Sequence, residues 1–533
     1  MTGLTRRSAL AVAFATAATS ALPAPAGAAD RNTIRFGLAV QRVNSLDPAI
    51  NIQGEDQTVT RQIFDTLVDP PYGTFDLDPR GLVMEAAESM EISPDAKTYT
   101  IKLREGMLFH KGYGEVTADD AKFTLDRLRD PATGSGYRIY YEPIEDVKLL
   151  DKYRFQIVLK QPDPTLYAKA LIARAAFILP RKAVEKLGEG FRRAPVGSGP
   201  FEFETIDPNR GVVLKAFEQY HGGKPAVDGV EFRYVPDSTA RTLAFAKGEL
   251  DMIEGVRLPG WTDDIRRQVP TAKIDLTRPG SNNMVSFNLT RKPFDDIRVR
   301  KAIRYAVDRK VLKDAYGDLY GDVWGINPPE YPGGFTSADL PAELRYDYDP
   351  AKAKQLLAEA GFPKGFAFDQ EISQREDFQG IMLLLQDMLR QVGIDMRLKT
   401  IEHVRFHTDM NHDLGTLVLN SETTAPVGTL LFDSSLLKSA AVDANGGGRS
   451  NFSHYGAAMP GIDDIYAQIM AEPDLEKRIV LTREAELRVL RDMPAWNALS
   501  LHWVFARNPR LDLGYEIRAS YAYFTLMKAR FAA

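Results

Sequence analysis

Polar and apolar residues alternate along Thr33–Leu38, Thr98–Leu103 and Arg154–Leu159, a period of two that predicts half-buried strands. Gly211–Phe217 and Gly229–Tyr234 are strand-like on either side of a Gly222-Gly223 loop, and Leu250–Ile253, Met284–Leu289 and Leu499–Phe505 add further strands. Between them the period changes to that of helices. Thr117 reads as an N-cap with Asp119 and Asp120 in the first turn, so a helix runs to about Arg129 and stops before Pro131. Asp237 caps a helix through Lys247, and Asp296–Val307 sets Ile297, Ile303, Ala306 and Val307 on one face. Asp349-Pro350 opens a helix with the acid at N-cap and proline at N1, and Gly361 closes it. Gln379–Val392 ends at Gly393 and the strand Ile394–Leu398 follows at once; Glu476–Val489 is a long charged amphipathic helix. Strand–helix–strand alternation of this kind means α/β units.

The first thirty residues follow a different rule. Arg6 and Arg7 precede a modestly apolar run, Ala9–Leu22, too short to span a bilayer, and Ala26-Gly27-Ala28 offers small residues at a cleavage site. Residues 1–29 are therefore expected to be a signal peptide, and Thr5–Leu10 resembles a twin-arginine export signal with Ala9 in place of the usual aromatic. No second apolar run is long enough for a membrane helix, so the mature chain is not expected to insert.

At 533 residues the chain is too long for one core. Its net charge is −5, and loss of the two leader arginines makes the mature chain more acidic still. An acidic surface argues against nucleic acid as a partner. With no cysteine, stability must come from core size, thiolate chemistry is excluded, and no thiol exists for a lipid anchor at the leader junction.

Few residues point to catalysis. His403 and His407 stand four apart on an expected helix, with His412 beyond, a spacing that allows two imidazoles on one metal. No HExxH accompanies them, because Glu402 precedes the first histidine, and neither a metal nor a cofactor is expected. Gly197-Ser198-Gly199 lacks the spacing of a nucleophile elbow, and Gly446-Gly447-Gly448 lacks the lysine of a phosphate loop.

Taken in order, several segments resemble the extracellular solute-binding proteins of family 5, the peptide-, oligopeptide- and nickel-complex-binding subunits of ABC importers. They are Leu46-Asp47-Pro48; Glu85–His110 with Val116–Asp120; Gly197–Phe201; Gly222–Pro225 with Val227–Val230; Phe287-Asn288 with Pro293–Arg300 and Ala302–Ala306; and Asp349-Pro350-Ala351 with Leu356-Leu357 and Ala360-Gly361. The resemblance implies an α/β, two-lobed periplasmic-binding-protein fold of the large three-domain type. Domain I would take residues 30–72, 198–280 and 500–533, domain II would be an insertion over 73–197, and domain III would span 281–499. The hinges would lie near Ser281–Met284 and Ala498–Leu501, and the cleft between domains I and III would close on the ligand. The protein would be a periplasmic, non-enzymatic monomer that hands a small polar solute to the transmembrane permease of an ABC importer. The alternative is an exported hydrolase or metal-chelate-binding protein on the same scaffold.

The cleft residues expected from sequence fall in four places. Gln41, Arg42 and Asn44 follow the first strand, Asn282 sits at a hinge, and Trp324 lies in a Gly/Pro loop from which an aromatic can stack on a ligand. Asn420, Ser421, Glu422 and Thr423 follow the strand Leu417–Leu419, at the strand end where α/β proteins bind ligands. In the family's peptide-binding branch an acid after this strand pairs with the ligand's α-amino group. Ala425 and Val427 carry none, and Glu422 is the only carboxylate in the segment. That departure makes a sugar derivative, opine or modified amino acid as good an expectation as a peptide.

Overall fold

The computed structural model describes residues 32–51, 53–74, 81–172, 176–424, 427–518 and 524–532. The expected signal peptide and Ala425 lie outside the described residues.

The alternating segments assemble into three principal sheets. The first has seven strands in the order Lys273–Leu276, Val504–Arg507, Met252–Glu254, Thr33–Leu38, Gly229–Tyr234, Gly211–Ala216 and Phe201–Asp207. Thr33–Leu38 runs parallel to Gly229–Tyr234 and to Met252–Glu254; the outer pairs are antiparallel. The three parallel strands thus deliver their C-terminal ends to one edge of the sheet. The second sheet is antiparallel, with the order Ala87–Ile92, Thr98–Leu103, Arg154–Leu159 and Ile144–Leu149. The third, Tyr320–Gly321, Ala495–Leu501, Ser281–Phe287 and Leu417–Glu422, is antiparallel too, and a parallel pair, Phe366–Ser373 with Ile394–Ile401, packs beside it.

The cores show which sheets belong together. One continuous buried cluster joins the seven-stranded and four-stranded sheets, with the Phe36 ring tilted against Phe232 at 5.6 Å and edge-to-face with Phe505 at 6.2 Å. A second cluster is built mainly by residues between 281 and 501. The molecule is therefore two-lobed. Burial of a phenylalanine stabilises by about 1.5–3 kcal/mol, and the second cluster also takes in Leu250, Ile253, Val504 and Ala506 beside the seven-stranded sheet.

The chain passes between the lobe sheets at Thr277–Gly280 and again at His502–Trp503. The single late strand expected over Leu499–Phe505 is in fact two, Ala495–Leu501 in one sheet and Val504–Arg507 in the other. Every residue of both pieces is buried, so the apolar run gives no sign of the change of sheet.

Caps behave as the residue types dictate. Thr117 and Asp120 form a reciprocal capping box, and Asp237 accepts from the Ala240 amide at 2.7 Å. Close packing fixes the helix Gly54–Ile63. The Gly199 amide donates to the Ile63 carbonyl at 2.9 Å, and a Cβ on Gly197 would lie 2.1 Å from that oxygen. Only glycine lets the turn before Phe201 pass so close.

Candidate functional site

A cavity of about 930 Å³ opens between the lobes, and strand ends account for its walls. On the first lobe, Thr33–Leu38 leads to Ala39 and Val40, Gly229–Tyr234 leads to Pro236 and Asp237, and Met252–Glu254 ends in Glu254 and continues to Arg257. On the second, Phe366–Ser373 leads to Arg375–Phe378, Ile394–Ile401 leads to His403 and His407, and Leu417–Glu422 contributes Ser421 and then Thr423. The C-terminal ends of parallel strands from both lobes face one another across the space, where open α/β sheets bind ligands.

Charged groups of both lobes meet at Asp377 on the second lobe. Asp377 is shared by two guanidinium groups: Arg257 donates to it at 2.8 Å and Arg375 donates twice at 3.2 Å. Burial pushes the Asp377 carboxyl up, but Arg257 and Arg375 outweigh it and hold the group below its ordinary value. Arg257 also donates to the Ser281 hydroxyl at 2.9 Å and lies over the Trp503 ring at 3.8 Å. Two guanidinium groups thus share Asp377, with the Glu376 carboxyl lining the cavity beside them. Arg375 is the one that reaches solvent, since half of its side chain is exposed against 9% for Arg257. The helix Glu376–Arg390 starts at the same point and adds its positive end.

The first lobe's wall is acidic. Glu254 and Glu55 both line the cavity. Glu254 accepts from the Ala39 amide at 3.2 Å, while the neighbouring Arg241 guanidinium spends its donors on the carbonyls of Glu254, Val235 and Pro236. Burial and then the nearby Glu55 carboxylate push Glu254 up to about 7, against the pull of Arg241 and Arg257. Burial also raises Glu55, against Arg375, Arg257 and Arg241.

His403 and His407 form part of the wall with their rings 4.6 Å apart. Burial lowers both; Arg375 adds to this at His403, and His403 and then Arg375 add to it at His407. His412 turns away to the carbonyl of Thr408. Among the described residues no three His, Cys, Asp or Glu side chains gather as a metal site.

Of the residues expected from sequence, Ser421 and Thr423 line the cavity, and Thr423 lies 2.9 Å from the Ser281 hydroxyl. Asn420 and Glu422 do not. They occupy the opposite face of the same strand, because side chains alternate, and Glu422 accepts from Ser434 at 3.4 Å. Asn282 is likewise on the far face, where it accepts from Asn497 at 3.1 Å. Gln41, Arg42 and Asn44 are exposed beside the cavity without lining it. Trp324 is away from the cleft: it donates to Asp322 at 2.8 Å under the Arg309 guanidinium, beside a separate space of about 310 Å³. Sequence reasoning missed Glu55, Glu254, Arg257 and Arg375. The available signal for Glu254, Arg257 and Arg375 was their position just after, or at the end of, parallel strands; Glu55 lies in the first turn of the helix Gly54–Ile63 and carried no such signal.

A larger space of about 1100 Å³ lies elsewhere, between the edge strand Lys273–Leu276 and the helix Leu475–Asp492. Three of its guanidinium groups are committed, Arg507 to Asp275, Arg518 to Glu516 and Arg478 to two backbone carbonyls, and Arg278 lines it as well. Volume alone therefore does not mark the site.

Two lobes joined by two chain crossings over a polar cleft define a periplasmic-binding-protein fold. The model of bacterial extracellular solute-binding proteins, family 5, matches residues 81–432, and the chain belongs to that family. Among curated relatives, the glutathione-binding protein GsiB of Escherichia coli (strain K12) is 31% identical over 334 residues, which is 62% of this chain and 63% of that protein. The chain thus spans under two thirds of that relative's length. The dipeptide-binding protein of the same strain is 29% identical over 465 residues, 81% of this chain and 82% of the relative. Among solved structures, MoaA from A. tumefaciens R10 in complex with mannopinic acid is 29% identical, with a TM-score of 0.79 over 94% of this chain and 99% of that one. DppA from Helicobacter pylori in complex with the peptide STSA is 25% identical, with a TM-score of 0.76 over 94% and 98%.

Proposed function

We propose that the protein is the solute-binding subunit of an ABC importer, exported to the periplasm, where it captures a small polar solute between its lobes and delivers it to the membrane permease. The observation that carries this reading is the cleft itself. Strand ends from both lobes converge on one polar cavity, and Arg375 presents a half-exposed guanidinium group to it. The solute on this account carries an anionic group, held by Arg375 with the start of the helix Glu376–Arg390 behind it. Peptides, opines and other modified amino acids fit that requirement; a neutral sugar does not. Ser421, Thr423 and Ser281 supply uncharged hydrogen-bonding groups.

Thr277–Gly280 and His502–Trp503 are the hinges in this reading, joining a first lobe of domains I and II to domain III, which runs from Ser281 to about Leu501. The protein acts as a binder and leaves its ligand unchanged. Export is supported by the order of arginines, apolar run and small residues before Asp30.

The test is thermal-shift screening of the purified mature chain against dialanine, glutathione, mannopinic acid and uncharged sugars, followed by calorimetry. A carboxylate-bearing compound is expected to bind one to one and to raise Tm by mass action. Turnover of many equivalents of ligand, or stabilisation by neutral sugars alone, would contradict the proposal.

A further inference from the structure

We propose that the space of about 310 Å³ beside Trp324, on the second lobe and outside the cleft, is a separate binding site that takes a small carboxylate with a flat apolar ring. This goes beyond the solute-binding reading and does not depend on it. The starting observation is Arg304, on the helix Ile297–Ala306. Only 2% of it is exposed, and among the described residues its guanidinium group has no hydrogen-bonding or ionic partner. Its neighbour one turn earlier shows the usual arrangement: Arg300, equally buried, donates to four carbonyls.

Burial, and then the charge of Arg309, push Arg304 down, but a guanidinium group keeps its proton in a protein, so a buried charge remains to be met. The ionisable groups that act on it are Arg309, Tyr320, Tyr346 and Asp322, and all four line the space. The one acid among them is committed. Asp322 accepts from Arg309 at 3.3 Å, from Tyr320 at 2.9 Å and from Trp324 at 2.8 Å. The other charges of the lining are accounted for in the same way. Asp347 stands 3.9 Å from Arg345, Lys310 pairs with Asp314, and Asp308 accepts the Lys310 amide at the start of the helix Arg309–Tyr316. Set against Asp308, Arg304 and the rim residue Lys313 leave one cation over.

A second donor is unserved. The Arg309 guanidinium lies over the Trp324 ring at 4.1 Å and donates to the Val323 carbonyl, yet its Nε is buried without an acceptor among the described residues. The rest of the wall is aromatic. The hydroxyls of Tyr320, Tyr346 and Tyr348 are spent on Asp322, the Leu490 carbonyl and Gln391, which leaves their rings to line the space. A carboxylate accepts charge-assisted hydrogen bonds from guanidinium groups, and a flat ring packs on aromatic walls. A singly charged anion matches the one surplus cation; a phosphate dianion would meet Asp322 and Asp308 as well. The volume suits one small molecule.

Calorimetry and thermal melts of the purified mature chain at pH 7 test this with benzoate and with benzamide, which has the same shape and no charge. Benzoate should bind one to one and at least about tenfold more tightly than benzamide, the worth of a hydrogen bond to a charged group. Arg304→Met should remove that preference and, without ligand, raise Tm, because it deletes an unpartnered buried charge. Trp324→Leu takes away part of the aromatic wall and should weaken benzoate by at least about threefold. Benzamide binding as tightly as benzoate overturns the site, as does wild type that binds no benzoate at about 10 mM. Benzoate binding that survives in Arg304→Met and is lost in Arg375→Ala belongs to the cleft and overturns it too. Should Arg304→Met fail to fold, Trp324→Leu decides: benzoate affinity unchanged from wild type overturns the site.

Discussion

Glu254 and Glu486 are both buried carboxyls pushed by burial to about 7, yet they do different work. Glu486, on the helix Leu475–Asp492, lines neither the cleft nor the larger space. Its two oxygens accept from the amides of Ile326 and Asn327 at 2.7 and 2.9 Å and clamp that loop to the helix. Glu254 accepts one amide and faces the cleft, with Glu55 beside it and Arg375 opposite. A raised pKa reports that charge is expensive in both places. What surrounds the carboxyl decides whether that cost belongs to the scaffold or is open to a ligand.

The largest effect that would sharpen this contrast is on the cleft's charged walls. Arg375→Ala should cost about 2–5 kcal/mol in affinity for a carboxylate-bearing ligand, roughly thirtyfold to several thousandfold, while Tm stays near wild type. Calorimetry and a thermal melt read both quantities. A binding loss of less than about threefold would place the anion elsewhere.

Glu486→Ala should do the reverse. It leaves two buried amides without an acceptor, at about 1–3 kcal/mol each, so denaturant unfolding should show the second lobe destabilised while ligand affinity stays within about threefold. A large loss of affinity with little loss of stability would break the distinction.

The pH dependence of the unliganded protein comes next in size. Acids whose folded pKa is raised contribute stability at low pH that is lost as pH rises toward about 7. The native state then binds more protons than the unfolded chain, and each unit of difference is worth about 1.4 kcal/mol. Glu486→Gln should flatten the fall in stability between about pH 4.5 and 7. An unchanged profile would show that Glu486 ionises freely in the native state.

The smallest effect concerns Glu422. Because it meets Ser434 on the face away from the cavity, Glu422→Gln should cost well under about 1 kcal/mol of ligand affinity. A loss above about 2 kcal/mol, the lower end for a buried charge pair, would bring that strand's acid back into the site.

Much of the scaffold was legible because local rules and the global fold agree. Thr117, Asp237, Asp296 and Asp349 cap the helices their positions imply, and Thr33–Leu38 pairs as a strand of its pattern should. The strand Phe366–Ser373 escaped notice because Gln370 interrupts its apolar side; it is buried, with its carbonyl oxygen accepting from the Leu417 amide at 3.0 Å. Facing was harder to read than element type. Asn420 to Thr423 are four consecutive residues near one strand end, and the pleat sends Ser421 and Thr423 to the cleft and Asn420 and Glu422 away. Glu254 and Arg375 resemble solvated residues at element ends until the lobes are placed together.

The central claim is that the solute sits in the polar cleft and not in the larger space beside Lys273–Leu276. Hydrogen–deuterium exchange of the mature chain with and without a binding compound tests it most directly. The account predicts new protection at 39–41, 253–258, 375–378, 403–407 and 421–424, with 273–276 and 475–482 unchanged. Protection confined to those last two segments would contradict it.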